Sequence, residues 1–400
     1  MNDIKITLPD KIYFLQTIPD SVSNSMNEEF SIYYENIIYP YSDVFDVEVI
    51  SDYGANHKRF WRISNYEKDD SFDVTFRVYA PYGELIAEKT VTMIPVKKHF
   101  SGKFDILCIG DSMTRSVTYM EHIQNKLYRV NFKGTRSFNG ILYHEGRGGW
   151  TLGKYLTAVG DDPSPFLFPV GIDNYYANMD FYNLTTHPSD NIYCFSGYYD
   201  YPKIQKGEVY CSKGCLYTYD GEKLSDNPEW EFNFSKYIKR HNIGHLDAVS
   251  FLFGANDMQI SKYEETDAHV SQYIKNMNIM ISSIREYDPD MKIIINMPIP
   301  GADQNAWGFK MCLGSEKRYN YNMMKLSEAI IENYSSDKNI FISPMAAYID
   351  RMYGFSSASR NANQYCEEKE TFQSNWVHPN KTGYAQMGDA LAAVIEKIRG

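Results

Sequence analysis

A chain of 400 residues with 43% apolar content is long enough for two ordinary domains, each with a core of its own. Its net charge of −11 argues against a nucleic-acid partner, whose phosphates such a surface repels, and against docking on anionic membranes. No apolar run approaches the roughly 18 residues of a membrane-spanning helix.

Aromatic residues make up 15% of the chain, and 34 of its residues are tyrosines. Rings of this kind stack on the apolar faces of sugars, but they also fill ordinary cores. The six cysteines, Cys108, Cys194, Cys211, Cys215, Cys312 and Cys366, are too sparse for a disulfide framework. Cys108 lies in an apolar run and reads as a buried core residue. Cys211 and Cys215, with Cys194 and His187 near them in sequence, lack the paired Cys-x-x-Cys spacing of a structural zinc site. The start, Met1-Asn2-Asp3-Ile4-Lys5, has neither the basic nor the apolar stretch of a signal peptide. The expectation is a cytoplasmic protein, or a secreted one whose signal peptide is absent from this sequence.

Residues 1–97 read as all-β. Short β-prone runs recur at 31–34, 44–49, 60–63, 72–79 and 88–93, separated by turn signals such as Tyr53-Gly54 and Pro81-Tyr82-Gly83. Val74, Phe76 and Val78 alternate with Asp73, Thr75 and Arg77, the pattern of a half-buried strand. Runs at this spacing predict a small sandwich of immunoglobulin-like type. Residues 95–102 read as a linker.

From Lys103 the pattern changes to apolar strands alternating with amphipathic helices, which predicts a parallel sheet with crossover helices. Strands are expected over 104–109, 130–138, 247–253, 291–297 and 339–343. Helices are expected over 115–128, 264–287, 315–334 and 381–398, the last capped by Asn380. More than a hundred residues separate Gly149 from Asn256, whereas a simple crossover unit needs about 30. The excess, roughly 158–235, is rich in Tyr, Asp, Asn, Pro and Gly, as in Gly197-Tyr198-Tyr199-Asp200-Tyr201. Such an insertion is either a substrate-shaping lid or a flap over a sheet edge.

Four short blocks carry the chemistry. The run Phe104-Asp105-Ile106-Leu107-Cys108-Ile109 ends in Gly110-Asp111-Ser112, which sets a hydroxyl at the carboxyl end of a strand, where open α/β sheets keep their sites. The others are Glu145-Gly146-Arg147-Gly148-Gly149-Trp150-Thr151, Phe253-Gly254-Ala255-Asn256-Asp257, and Asn375-Trp376-Val377-His378-Pro379-Asn380. Acyl transfer needs a nucleophile, a base and donors for the oxyanion. Ser112 can be the nucleophile and His378 the base. Gly149 offers a backbone N–H where a side chain would obstruct, Asn256 a side-chain amide, and Ser112 its own N–H. The alternatives are a capping serine, a turn glycine and a capping asparagine. His241 and His245 form no HExxH pattern and read as surface residues. Glu367-Glu368 is the only close acidic pair near His378 and reads as solvated surface. There is no Gly-x-Ser-x-Gly elbow and no phosphate loop.

In this order the four blocks resemble the SGNH hydrolases, also called the GDSL family, over residues 103–400. The resemblance implies a three-layer α/β/α domain with a parallel sheet, preceded here by the small β-sandwich. It also implies a serine esterase with an oxyanion hole at Ser112, Gly149 and Asn256 and with no cofactor. The family usually carries Asp three residues before the histidine; here that position is Asn375. An amide can orient an imidazole but supplies no charge. Asn375 is therefore an introduced substitution, or the mark of a Ser–His dyad whose ring is oriented by a backbone carbonyl or an acid such as Glu370, or the mark of lost catalysis. The function the resemblance implies is hydrolysis of a small acyl ester, acetyl on a carbohydrate, since similar two-domain SGNH proteins are often carbohydrate esterases. The alternatives are a glycan-binding protein on a retired hydrolase scaffold, and a lipase or thioesterase. The expected partner is a small-molecule or glycan ester.

Overall fold

The computed structural model describes residues 4–17, 28–138, 140–159, 163–172, 175–176, 209–212, 215–218, 223–308 and 314–400. Cys194 and His187, and most of the insertion, lie outside the described residues.

Among the described residues the leading segment forms a short antiparallel pair, Lys5–Ile6 with Ile38–Tyr39, and two facing sheets. One has four strands in the order Lys11–Leu15, Leu85–Val96, Phe72–Tyr79, Asp46–Ile50; the other has three, Glu29–Tyr33, Phe60–Ser64, Ala55–Asn56. Phe72, Val74, Phe76 and Val78 are buried while Asp73 is exposed, so the alternation expected there is present. The strand Lys11–Leu15 pairs in parallel with Thr92–Val96. Its own alternation is weak, since four of its five residues are at least partly buried, and the sequence reading missed it.

The apolar core does not stop at the linker. Phe14, Ile32 and Val74 belong to the same buried cluster as Met120, Tyr348 and Leu391. Phe30 packs edge-on to Tyr348 with ring centroids 4.3 Å apart. Polar ties run alongside: Arg59 reaches Asp350 at 2.7 Å, and the Asn36 side chain donates to the carbonyls of Ala346 and Ile349.

The main sheet has seven strands: β1 (Phe104–Gly110), β2 (Val130–Lys133), β3 (Arg136–Phe138), β4 (Leu142–Gly146), β5 (Ala248–Leu252), β6 (Lys292–Asn296) and β7 (Ile340–Ser343). Their order is β3-β4-β1-β5-β6-β7, with β2 pairing the first half of β1. All pairs are parallel except β3 with β4. Every residue of β1 is buried, which explains its unbroken apolar run. Ile106 and Cys108 face a cluster with helices α2 (Thr118–Lys126) and α6 (Lys381–Arg399). Leu107 and Ile109 face a second cluster with α3 (Phe234–Arg240), α4 (Thr266–Tyr287) and α5 (Glu316–Tyr334). The sheet thus has helices on both faces.

Two expected elements are broken. The helix expected over 115–128 is a single turn, α1 (Ser112–Arg115), followed by α2. Between them Val117 adopts φ 52°, a costly conformation for a β-branched residue. The strand expected over 130–138 divides at Gly134 (φ 152°), where a Cβ would come within 2.5 Å of the His144 backbone. Only glycine allows the chain to bend there and return as β3.

Candidate active site

The register of the central strands brings three of the four blocks to one edge. Gly110 pairs with Gly146 on one side and with Leu252 on the other. The chain therefore leaves β1, β4 and β5 at the same level, and Ser112, Gly149 and Asn256 follow within a few residues.

Gly110 is required by space: a Cβ there would sit 2.2 Å from the Thr114 Oγ1 and 2.7 Å from the Leu252 carbonyl. Asp111 caps α1 by accepting from the Met113 N–H at 2.9 Å. Ser112, the first residue of that turn, lies 2.7 Å (Oγ to Nε2) from His378. The two residues are 266 positions apart in sequence.

The histidine turn is pinned from both ends. Asn375 Oδ1 accepts from the backbone N–H groups of Val377 (3.3 Å) and His378 (3.0 Å). Asn380 caps α6 through the Thr382 and Gly383 N–H groups, and its amide donates to the carbonyls of Tyr353 and Phe355. Asn375 thus holds the turn and does not bond the ring. Among the described residues no group hydrogen-bonds His378 Nδ1. Glu370, considered above for that position, is instead on an exposed hairpin opposite Arg360. Burial, and then the Arg115 charge, hold the His378 pKa below the usual 6.5.

Gly149 has φ 74°, and no atom lies within 4 Å of where its Cβ would be, so its backbone faces open space. Within the described residues neither its N–H nor that of Ser112 is engaged by a backbone partner; the latter belongs to the first turn of a helix, which leaves it free. The Asn256 amide donates to the Trp150 carbonyl at 3.0 Å, which fixes its orientation and leaves its second N–H. Asp257 accepts from Leu152 N–H (2.9 Å) and Gly254 N–H (3.2 Å), latching the third block to the second.

Several contributors carried no readable signal. Glu145 and Arg147 form a fully buried ion pair at 2.8 Å beneath the Gly148-Gly149 turn. Tyr237 donates to Glu145 at 2.8 Å, and Tyr155 donates to the Gly110 and Glu145 carbonyls. Burial pushes Glu145 up, but Arg147 and the donors around it outweigh this and hold it below the usual carboxylate range. Burial raises Asp111 to about 7, aided by Asp257, and raises Asp257 to about 6. His241 corrects the surface reading: it is half-buried against Tyr237, and burial lowers its pKa to about 4. His245 is exposed beside Asp247, as expected. Cys108 is fully buried, and burial raises its thiol to about 12. No helix of the described residues is long and apolar enough to cross a membrane.

Residues 198–391 match the family described as GDSL-like Lipase/Acylhydrolase. That span contains Asn256 and His378; Ser112 and Gly149 precede it. Among solved structures, a carbohydrate esterase family 3 protein from Talaromyces cellulolyticus is 15% identical, with 74% of this chain and 98% of that one covered and a TM-score of 0.36. A family 3 carbohydrate esterase from Clostridium thermocellum is 13% identical over 74% and 98%, with a TM-score of 0.35. A lipase/acylhydrolase from Enterococcus faecalis is 12% identical over 74% and 96%, also at 0.35. Overlaps this loose add nothing to the geometry. No curated protein matches the sequence.

Proposed function

We propose that this chain, whose residues 198–391 match the GDSL-like Lipase/Acylhydrolase family, is a serine esterase removing a small acyl group, acetyl, from a carbohydrate. The observation that carries the reading is the 2.7 Å contact between Ser112 Oγ and His378 Nε2.

In this reading His378 Nε2 takes the Ser112 proton as Oγ attacks the ester carbonyl. The oxyanion is met by the Ser112 and Gly149 N–H groups and the free N–H of Asn256. His378 then passes its proton to the departing alcohol, leaving an acyl-serine. Water, activated by the same imidazole, releases the acid and restores the hydroxyl. With no carboxylate on Nδ1, the pair works as a dyad. No step calls on a cofactor.

The carbohydrate assignment rests on the tyrosine-rich composition, the leading β segment read as an accessory sandwich over 1–97, and Trp376. That indole is half-buried two residues before His378 and stacks on Trp307 at 5.9 Å. The α/β domain, read as a three-layer SGNH fold over 103–400, supplies the chemistry. The missing carboxylate favours a second reading, a glycan-binding protein that no longer turns over esters.

Comparing wild type with Ser112→Ala on aryl acetates and acetylated sugars separates the two. Turnover that disappears in the variant supports the esterase. Equal rates in the two proteins defeat the role given to Ser112, and sugar affinity without turnover supports the second reading.

A further inference from the structure

Arg115 has no place in the chemistry above, yet it stands beside it. It closes the single turn that begins at Ser112. Its guanidinium lies over Gly148, where a Cβ would fall 2.5 Å from Cζ and 2.7 and 2.8 Å from the two terminal nitrogens. Glycine at 148 therefore makes the room that the guanidinium occupies, next to the Gly149 turn. The residue is half-buried, so one side of it meets solvent.

The Arg115 backbone N–H donates to the Asp111 carbonyl, but among the described residues its guanidinium has no ion pair or hydrogen bond. Arg59, Arg147, Arg285 and Arg351, which are also buried or half-buried, each reach a carboxylate. The acids nearest in the fold are already engaged: Asp111 and Asp257 accept backbone N–H groups, and Glu145 holds Arg147. An arginine half removed from water with no anion is an unsatisfied fork of donors, suited to a planar carboxylate. The titratable groups that feel its charge are His378, His144 and Tyr384.

The side of the site is set by His378. The departing alcohol must face the imidazole that protonates it, and Arg115 acts on that same ring. We propose that Arg115 is a substrate-binding residue that receives a carboxylate on the alcohol half of the ester, so that the substrate is an acylated acidic sugar of the uronate class. This rests on the esterase reading of the site.

The test is the ratio of kcat/KM for an O-acetylated methyl glucuronoside to that for the matching methyl glucoside. Wild type should favour the uronate by about tenfold or more, the worth of one charge-assisted pair. The ratio should fall to near one in Arg115→Gln and be partly kept in Arg115→Lys. A ratio near one in wild type, or one unchanged in Arg115→Gln, overturns the proposal. So does an Arg115-dependent preference for an aryl hemisuccinate over an aryl acetate, which would put the carboxylate on the acyl half. A second arm is independent of turnover: methyl glucuronoside binding measured by calorimetry in Ser112→Ala, with and without Arg115→Gln. Binding that weakens about tenfold on removing Arg115, in a protein silent toward every ester, would retire the esterase reading and leave this site standing. An active esterase with neither preference nor Arg115-dependent binding would do the reverse.

Discussion

His378 decides how this site can work. Its Nε2 meets Ser112, but burial and Arg115 both disfavour the imidazolium that forms when the serine proton is taken. Because the neutral ring is the base, kcat/KM should hold from neutral pH down and fall only through a pKa below 6.5; an acid limb above that value would contradict the environment described. Asn375 Oδ1 already accepts two backbone N–H groups of the histidine turn. A carboxylate there can keep both bonds and add the missing charge. In serine proteases the loss of such a charge costs about 10⁴ in kcat, so Asn375→Asp should raise kcat by about tenfold or more and move the acid limb toward neutral pH. No change in either would mean that the position does not reach the ring. On the oxyanion side, Asn256→Ala should lower kcat by about 10² to 10³ with little change in KM; a KM effect alone would make the amide a ground-state contact.

At the scale of elements, the working parts were legible where a motif coincides with a strand end. Gly110-Asp111-Ser112 and Asn256 stand where the apolar runs of β1 and β5 stop, Gly149 lies three residues past β4, and His378 lies in the turn before the last helix. Other features were not legible. Nothing in a β-branched residue announces the left-handed turn at Val117 that splits α1 from α2. Nor does the sequence announce that Tyr155 and Tyr237 reach back to Glu145, since such contacts follow from tertiary packing. The Asp111 cap shows a strain of another kind. Its folded pKa, raised to about 7 from the ordinary 3.8, means that the native state holds a proton the unfolded chain releases. The stability this supplies is present at low pH and is lost as pH rises from the ordinary value through the folded one. Asp257 acts in the same direction. Asp111→Asn keeps an oxygen for the Met113 N–H and removes the charge. Its Tm relative to wild type should therefore improve between pH 5 and pH 8; a difference independent of pH would contradict the assignment.

For the whole molecule, the sequence read two units, and the change of period near Lys103 is where the character of the elements changes. It could not show that their apolar interiors merge, because contacts such as Phe30 with Tyr348 join positions hundreds of residues apart. The leading segment also braces the histidine turn indirectly. Arg59 holds Asp350, and the stretch that follows supplies the Tyr353 and Phe355 carbonyls bonded by Asn380. Unfolding should therefore be a single transition by circular dichroism and by tryptophan fluorescence, and residues 103–400 alone should lose stability sharply. Two separable transitions would contradict a shared core.

The central claim is that Ser112 is made nucleophilic by His378. Treatment with an aryl fluorophosphonate followed by peptide mass spectrometry tests it directly. The account predicts one covalent adduct, on Ser112, formed far more slowly in His378→Ala; an unmodified Ser112, or labelling that ignores the histidine, would contradict it.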